Sequence, residues 1–230
     1  MSFDLCRSKS KPMNYQAVVL LSGGLDSTLN LYWAQKEWGQ VMALSFNYGQ
    51  KAFVKELEAA QFFCEQLNIT HQVLDISNIF AFDQSALTTD QKNIPTDDVN
   101  IESEEASIQS AEKVWVSNRN GVFLNIAACF AESLKAQYIV PGFNREEAQT
   151  FPDNSVEYIE KVNESFKYST SNQVEVFCFT QSMDKREMME KAFEWKIPVD
   201  KIWSCYHAGE KVCGECESCK RFDRAYGVLK

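Results

Sequence analysis

The sequence predicts an α/β fold: a doubly wound, parallel five-stranded sheet with helices on both faces and a zinc knuckle near the C-terminus. Short apolar, β-rich runs alternate along the chain with longer stretches whose apolar residues recur at helical spacing. A glycine-rich turn directly follows the first apolar run, which is typical of nucleotide-binding α/β proteins. Four closely spaced cysteines predict the knuckle.

Length and charge restrict the class of protein. The 230 residues suit one domain of ordinary size, and 45% hydrophobic content is typical of a globular chain. A net charge of −9 and a pI near 4.9 disfavour binding to nucleic acid, which depends on Lys and Arg. No apolar run reaches the roughly 18 residues that span a bilayer. We therefore expect neither a membrane nor a nucleic acid as a direct partner.

The first residues and the cysteines bear on the compartment. Residues 1–15 lack the apolar stretch of a secretory signal, so we expect a flexible leader and a cytoplasmic protein. Because the cytoplasm is reducing, structural disulfides are not expected. The eight cysteines are then core residues or metal ligands. Three isolated ones, at 64, 129 and 178, are predicted to lie in the core, while no role is predicted for Cys6.

The predicted elements follow one another as βαβ units. Apolar runs predict strands at residues 16–21, 41–46, 71–76, 137–140 and 174–179. Residues 51–67 and 120–136 each carry one apolar stripe at helical spacing and predict helices. Alternating strands and helices predict a parallel sheet covered on both faces.

Residues 83–112 interrupt this rhythm, since they are rich in Asp, Glu, Ser, Thr and Gln. A solvated surface insertion is the simpler interpretation of such a composition. The alternative is a lid that becomes ordered over a ligand.

The turn after the first strand reads SGGLDST, at residues 22–28. Its spacing fits neither the Walker A loop nor the Rossmann fingerprint. Adjacent glycines let the backbone approach a ligand closely, and the start of a helix offers free N–H groups to an anion. The turn therefore predicts a phosphate site, with an ordinary turn before a capped helix as the alternative.

The C-terminal cysteines are spaced C-x7-C-x2-C-x2-C within residues 204–222. Four thiolates at this spacing suit structural, tetrahedral Zn²⁺. An iron–sulfur cluster stays open as an alternative, whereas a redox dithiol is usually found near the first βα unit. His207 lies inside the motif, as a bystander or a substrate contact. The predicted ligands are Cys205, Cys213, Cys216 and Cys219.

The SGGLDST turn resembles the pyrophosphate loop of the N-type ATP pyrophosphatases, which include GMP synthetase and NAD synthetase. The resemblance implies an adenine nucleotide alpha hydrolase-like fold and cleavage of ATP between its α and β phosphates. Loop amides and hydroxyls would hold pyrophosphate, and Asp26 would help to hold Mg²⁺. The implied nucleotide-binding residues are Leu20, Leu21, Ser22, Gly23, Gly24, Leu25, Asp26, Ser27 and Thr28.

Taken together, the loop and the cysteines resemble the 7-cyano-7-deazaguanine synthase family over residues 16 to 226. The matching segments are YGQK at 48–51, NRNGVFLNIAACFAE at 118–132, GFNREEAQTFPD at 142–153 and WSCYHAGEKVCGECESCKR at 203–221. The chain departs from the family pattern at Ala52, Pro141, Asn154 and residues 180–182.

This resemblance implies a ligase that forms carbon–nitrogen bonds in queuosine precursor biosynthesis. The enzyme would convert 7-carboxy-7-deazaguanine, ammonia and ATP to 7-cyano-7-deazaguanine through adenylated intermediates, and would release AMP and pyrophosphate. A homodimer is also implied. The implied catalytic residues are Asp26, Ser27, Lys51 and Arg119, the last two as contacts to phosphate or to the substrate carboxylate. The implied base-binding residues are Asn144, Phe151 and Asp153.

Lys185 and Glu187 match a late Lys-x-Glu pattern of the family, although an exposed helix surface is the simpler interpretation of both. Two other functions stay open. One is a relative that adenylates another deazapurine or a tRNA, but the chain shows no basic RNA-binding face. The other is a nucleotide sensor without catalysis, which would be free to lose Asp26.

Overall fold

The computed structural model describes residues 15–96, 99–101 and 103–227. Within these residues the sheet has five parallel strands in the order β3-β2-β1-β4-β5. The strands are β1 Ala17–Leu20, β2 Val41–Asn47, β3 Thr70–Asp75, β4 Tyr138–Val140 and β5 Glu175–Val176. The α-helices are α1 Leu25–Trp38, α2 Phe53–Leu67, α3 Glu104–Val114, α4 Arg119–Leu134, α5 Val156–Ser169, α6 Lys185–Glu194 and α7 Glu217–Gly227.

Strand β1 is the centre of the sheet and the point where the strand order reverses. Ala17 lies between Val41 of β2 and Tyr138 of β4. In open parallel sheets ligands bind at such a switch point, beyond the carboxyl ends of the strands. The loop that follows β1 is therefore at the position where a ligand is expected.

Both faces of the sheet are covered, as predicted for a doubly wound fold. Side chains of β1 alternate between the two cores: Val18 packs with Leu124 of α4, whereas Val19 packs with Leu29 of α1. The first core also includes Phe166 of α5. Since the central strands β1 and β2 are buried on both sides, their residues are mostly apolar, whereas the edge strand β3 is more exposed and more polar. The predicted fold class is confirmed.

Element boundaries depart from the predictions at the edges of the chain. The fifth strand spans Glu175–Val176, which is shorter than the predicted 174–179. Most of the predicted leader, residues 1–14, lies outside the described residues. Tyr15, its last residue, is buried, and its hydroxyl donates to Thr70 Oγ1 at 3.0 Å. Tyr15 therefore packs with the domain, although it belongs to the predicted leader.

The segment 83–112 is not a merely solvated insertion, so that prediction is wrong. Ala86, Leu87 and Ile94 are buried in the core, and the segment ends in α3. The first residue of the segment, Asp83, is held close to Ser117, because its carboxylate accepts hydrogen bonds from the Ser117 backbone N–H and hydroxyl. The segment contributes Ala86, Leu87, Ile94 and Ala111 to the buried residues, although its Ile108 is exposed.

The isolated cysteines divide into three cases. Cys64 is buried, as predicted, but Cys129 is exposed on α4, so its predicted core position is wrong. Cys178 lies just beyond β5, half-buried, and its thiol donates to the carbonyl oxygen of Phe143 at 3.2 Å. Cys6 lies outside the described residues. In the part of the chain that the structure describes, no helix is both long enough and apolar enough to cross a membrane.

Candidate active site

The SGGLDST loop needs glycine at its second position. Gly23 has a φ of +79°, a conformation that favours glycine. A Cβ atom there would lie 2.7 Å from both the Ala59 Cβ and the Glu56 carbonyl oxygen of α2. The loop can therefore pack this closely on α2 only with glycine.

Hydroxyl groups hold the loop in shape. Ser22 and Ser27 share a hydrogen bond of 3.1 Å between their Oγ atoms, and the Ser27 hydroxyl also donates to the Gly24 carbonyl. Gly24 is the N-cap of α1 and supplies no side chain to cap the helix. Backbone N–H groups at the helix start are thus left for an anion.

A second glycine, which the sequence analysis did not single out for its backbone, places β4 against the loop. A Cβ on Gly142 would lie 2.8 Å from the Ser27 nitrogen and 2.9 Å from the Ser27 Cα. Both are backbone atoms at the start of α1, which cannot move aside cheaply. The close approach of two backbones is therefore what requires glycine at this position.

Asp26 is buried beside a lysine from the far end of the chain. Lys185 donates to Asp26 Oδ2 and forms an ion pair with Glu147 at 2.8 Å. Burial raises the pKa of Asp26 to about 6, although the Lys185 ammonium acts to lower it. Burial alone would lower the pKa of Lys185, but the two carboxylates outweigh it and raise that pKa.

The interpretation of Lys185 as an exposed helix residue is therefore wrong, since only 7% of it is accessible. Glu187 does lie at the helix surface, where it forms a capping box with Asp184 and pairs with Arg145. The two residues of the Lys-x-Glu pattern thus have different environments.

A single cavity is lined by the loop and by residues from other parts of the chain, which we call the opposite wall. Arg119, Phe151 and Asp153 belong to the opposite wall, and Lys185 lines the cavity next to Asp26. From residues 20–28, the lining residues are Leu20, Leu21, Ser22, Gly24, Leu25, Asp26 and Ser27.

Four of the predicted site residues do not line the cavity. Gly23 packs on α2, and Thr28 is fully buried in α1. Asn144 is fully buried too, and its Oδ1 accepts from the Glu147 backbone at 2.8 Å, so it shapes the turn behind Glu147. Lys51 donates to the Lys92 carbonyl at 2.7 Å, so the structure does not bring it together with the others.

Aromatic rings hold Arg119 in the opposite wall. Its guanidinium carbon lies 5.8 Å from the Tyr48 ring centroid and 6.0 Å from that of Phe123. Burial raises the pKa of Tyr48 to about 12, so this phenol is neutral at physiological pH. Burial also raises the pKa of Asp153, which the nearby Arg119 opposes. The wall thus offers a fixed cation and a carboxylate to a ligand.

Trp115, Trp203 and Tyr206 are among the aromatic residues that line the cavity and that the sequence analysis did not predict as site residues. The Trp115 and Phe151 rings are parallel within 9°, with centroids 6.2 Å apart. Trp203 and Tyr206 lie on either side of Cys205, the first cysteine of the knuckle, so their position in the cysteine motif could have identified them as site residues. Trp115 directly follows α3, beyond the polar segment 83–112, and gave no such signal.

The cysteine knuckle, residues 204–222, brings its four cysteines together. The Sγ atoms of Cys205, Cys213, Cys216 and Cys219 all lie within 4.8 Å of one another. Zn–S bonds of about 2.3 Å in a tetrahedron place sulfur atoms about 3.8 Å apart, and the Cys213–Cys219 separation is 3.9 Å. The arrangement fits a tetrahedral metal ion.

The knuckle backbone supports this ligand set. Gly214 turns the chain with a φ of +72°, and the Cys216 backbone donates to Cys213 Sγ at 3.3 Å. The His207 backbone donates to Cys205 Sγ at 3.4 Å. His207 therefore takes part through its main chain.

Comparison with known proteins identifies the family. The model of the family "Queuosine biosynthesis protein QueC" matches residues 16–230. The chain belongs to the QueC family. It is 47% identical over 212 residues to the 7-cyano-7-deazaguanine synthase of Carboxydothermus hydrogenoformans, covering 92% of this chain and 98% of that protein. It is likewise 47% identical to the enzyme of that name from Bdellovibrio bacteriovorus, with 93% of each chain covered.

Several departures of this QueC family member from the quoted pattern lie together. Ala52, Pro141 and Asn154 line the cavity. Gln181 Nε2 donates to the Asn154 carbonyl at 2.7 Å, which links the departure at 154 to the one at 180–182. The departures are thus concentrated around the cavity and the turn beside it, while the loop at residues 22–28 keeps the quoted pattern.

Helix α7 connects the knuckle to the loop after β4. Arg221 is buried and pairs with Glu217 at 2.7 Å and with Glu146, to which Arg224 also donates. Glu146 directly precedes Glu147, the partner of Lys185. In this QueC family member, ion pairs therefore lead from the knuckle helix to Asp26.

Proposed function

We propose that the chain is a 7-cyano-7-deazaguanine synthase: it converts 7-carboxy-7-deazaguanine and ammonia to the nitrile and releases AMP and pyrophosphate. Relatives with 47% identity over more than nine-tenths of the chain bear this name, and this observation carries the proposal. The geometry supports it, because one cavity joins an anion-binding loop to a wall that carries Arg119 and Asp153.

The loop side of the cavity fits the phosphates of ATP. Backbone groups at the start of α1 and the hydroxyls of Ser22 and Ser27 would hold the departing pyrophosphate. Asp26 Oδ1 is buried and has no hydrogen-bond partner among the described residues, which marks a place for a ligand. Asp26 would hold Mg²⁺ there, and the ion would screen the charge of the phosphates.

The opposite wall fits the acid. The guanidinium of Arg119 would orient the substrate carboxylate, since guanidinium groups match the geometry of carboxylates. Asp153 would accept hydrogen bonds from the N–H groups of the base. Lys185 lies next to Asp26, where its ammonium would contact an α or β phosphate when ATP is bound.

The chemistry needs no covalent enzyme intermediate. A carboxylate oxygen attacks the α phosphorus of ATP, and the bond to the β phosphate breaks. Pyrophosphate departs, and the acid is now bound to AMP as an acyl adenylate. Ammonia then displaces AMP and gives the amide. The amide oxygen attacks the α phosphorus of a second ATP, the bond to the β phosphate breaks, and a second pyrophosphate leaves. AMP then departs with that oxygen, and loss of the two nitrogen protons gives the nitrile. The protein contributes alignment of two substrates and stabilisation of charge on the phosphates.

The knuckle would hold Zn²⁺ in a structural role, because four protein ligands leave no coordination position open for a substrate. The ion would fix residues 203–206, which include cavity residues Trp203 and Tyr206. We also propose a homodimer, as the resemblance implies, to be tested by sedimentation. Ammonia itself is the proposed nitrogen donor.

The direct test is incubation of the purified protein with ATP, Mg²⁺, ammonium and 7-carboxy-7-deazaguanine, followed by mass spectrometry. We expect the nitrile together with AMP. Release of ADP, or the absence of any new base product, would refute the proposal.

A matched pair of variants separates chemistry from folding. Asp26→Ala removes the buried carboxylate and should abolish AMP release, while the protein keeps its metal content and circular dichroism spectrum. Asp200→Ala removes an exposed carboxylate, whose side chain is 72% accessible, and should keep full activity.

A further inference from the structure

Trp115 is an exposed aromatic ring on a firmly held backbone. Its two neighbours, Val114 and Val116, are each 4% accessible and lie in the core, whereas Trp115 itself is 38% accessible. Two residues on, Ser117 is tied to Asp83. A large apolar side chain that lines a cavity and stays open to solvent is typical of a ligand contact.

The ring opposite Trp115 is equally constrained. Phe151 precedes Pro152, which restricts its backbone to an extended conformation, and its N–H donates to the Glu147 carbonyl at 2.8 Å. The two rings are parallel within 9° and their centroids are 6.2 Å apart. A stacked base is about 3.4 Å thick, so two rings that enclose one base lie roughly 6.8 Å apart. Side chains commonly readjust on ligand binding, so the two parallel rings would take up this spacing around a base.

The polar groups beside this ring pair suit the edges of a guanine-like base. Asp153 is two residues from Phe151, and both line the cavity. A carboxylate can accept from two adjacent N–H groups, as on the pyrimidine side of a 2-amino-4-oxo base. Arg119, a donor-only group, lies near Asp153 and would meet an acidic substituent.

We propose that Trp115 is a specificity-determining residue: its indole and the Phe151 ring hold the two faces of the flat bicyclic base, while Asp153 binds the N–H edge. This inference rests on the proposed function, because it assigns the substrate's position in the same cavity. The proposal also assigns a function to the stretch directly after α3, because Trp115 supplies one of the two rings of the base site.

The experiment compares Trp115→Ala, Trp115→Phe and Phe193→Ala with the unaltered protein. Binding of 7-carboxy-7-deazaguanine without ATP is measured by calorimetry, and KM for base and for ATP by steady-state kinetics. Stacking of one base on an aromatic ring corresponds to about 5- to 150-fold in affinity. We expect Trp115→Ala to weaken base binding by this factor and to leave KM for ATP within about twofold. Trp115→Phe, which keeps a ring, should restore most of the affinity.

Phe193→Ala is the matched control. Phe193 is 42% accessible, and its ring stacks on Tyr226 with centroids 5.8 Å apart, but it does not line the cavity. We expect unchanged base binding in this variant. Tryptophan fluorescence gives a second readout. If the base changes the fluorescence of the unaltered protein but not that of Trp115→Phe, which keeps an aromatic ring, the base contacts the Trp115 indole.

The outcomes separate the two proposals. If the unaltered protein binds the base and Trp115→Ala binds it equally well, the ring pair is refuted and the proposed function stands. If Trp115→Ala binds weakly but the unaltered protein releases no AMP, the base site stands and the proposed function falls. If the unaltered protein does not bind the base at all, both proposals are overturned.

Discussion

The two walls of the cavity are built in different ways. The loop wall comes from one short stretch, residues 20–22 and 24–27, which leads directly into α1 and is held by hydrogen bonds among Ser22, Gly24 and Ser27. The opposite wall draws Trp115, Arg119, Phe151, Asp153 and Tyr206 from separate parts of the chain. A wall made from one segment keeps its shape by local contacts, whereas the other depends on every element that supports it.

This difference predicts that loss of the knuckle metal has the largest effect. Cys216→Ser removes one of four thiolates from the cluster. Structural zinc contributes about 10–16 kcal/mol in small domains, so we expect AMP release below about 1% of the original and a melting temperature lower by about 10 °C or more. Metal content, calorimetry and AMP release measure this.

Cys129→Ser is the control, because Cys129 is an exposed, isolated thiol. It should change none of the three quantities. Full activity of metal-free Cys216→Ser would show that the opposite wall holds without the knuckle, and would break the comparison between the walls.

Backbone crowding at Gly142 predicts the next largest effect. Gly142→Ala would push the start of α1, since its Cβ would lie 2.8 Å from the Ser27 nitrogen. Displacing a reacting group by 1 Å can cost about a hundredfold in rate, so we expect kcat to fall by about 10- to 100-fold. Base binding without ATP should stay nearly unchanged, because the other wall is untouched.

Gly227→Ala provides the comparison, as no atom of the described residues lies within 4 Å of the added Cβ. Calorimetric titration of both variants with base and with ATP locates the damage. Equal loss of affinity for the two ligands in Gly142→Ala would mean that the walls are coupled more tightly than their construction indicates.

The raised pKa of Asp26 predicts a pH dependence for the loop wall that the opposite wall does not share. Its pKa is raised from 3.8 to about 6, mainly by burial. If ionised Asp26 holds the Mg²⁺, kcat/KM for ATP should fall about tenfold for each pH unit below about 6. Stability behaves oppositely: the contribution of Asp26 is fully present below its unfolded pKa and is lost as pH rises through the folded value.

Subtracting the pH dependence of Asp26→Asn isolates the contribution of this carboxyl from that of every other titrating group. Unfolding free energies of the two proteins, compared from about pH 4.5 to about pH 7, should diverge in the stated direction. Parallel curves would contradict the assignment. Base binding without ATP should follow neither trend.

The smallest effect is expected at Lys51. Its ammonium donates to the Lys92 carbonyl and the residue does not line the cavity. Lys51→Ala should therefore keep kcat/KM for both substrates within about twofold, since surface contacts of this kind are weak. A loss of more than about tenfold would return Lys51 to the catalytic residues that the resemblance implied.

The sequence predicted the loop wall better than the opposite wall. The strands, the loop and the cysteine cluster are encoded by short, contiguous patterns, so periodicity and spacing were sufficient. Lys185 lies 159 positions from Asp26, and composition gives no sign of that contact. Gly142 and Trp115 were missed as site residues because their roles depend on which parts of the chain approach each other in the folded protein.

The ion pairs of Arg221 and Arg224 with Glu146 have a consequence for the order of assembly. During synthesis the loop, the central strands and Glu146 leave the ribosome well before α7, and domains fold roughly in that direction. Until α7 arrives, Glu146 has no arginine to meet and the cavity has no Tyr206. A nascent chain would therefore not consume nucleotide before its last helix has docked.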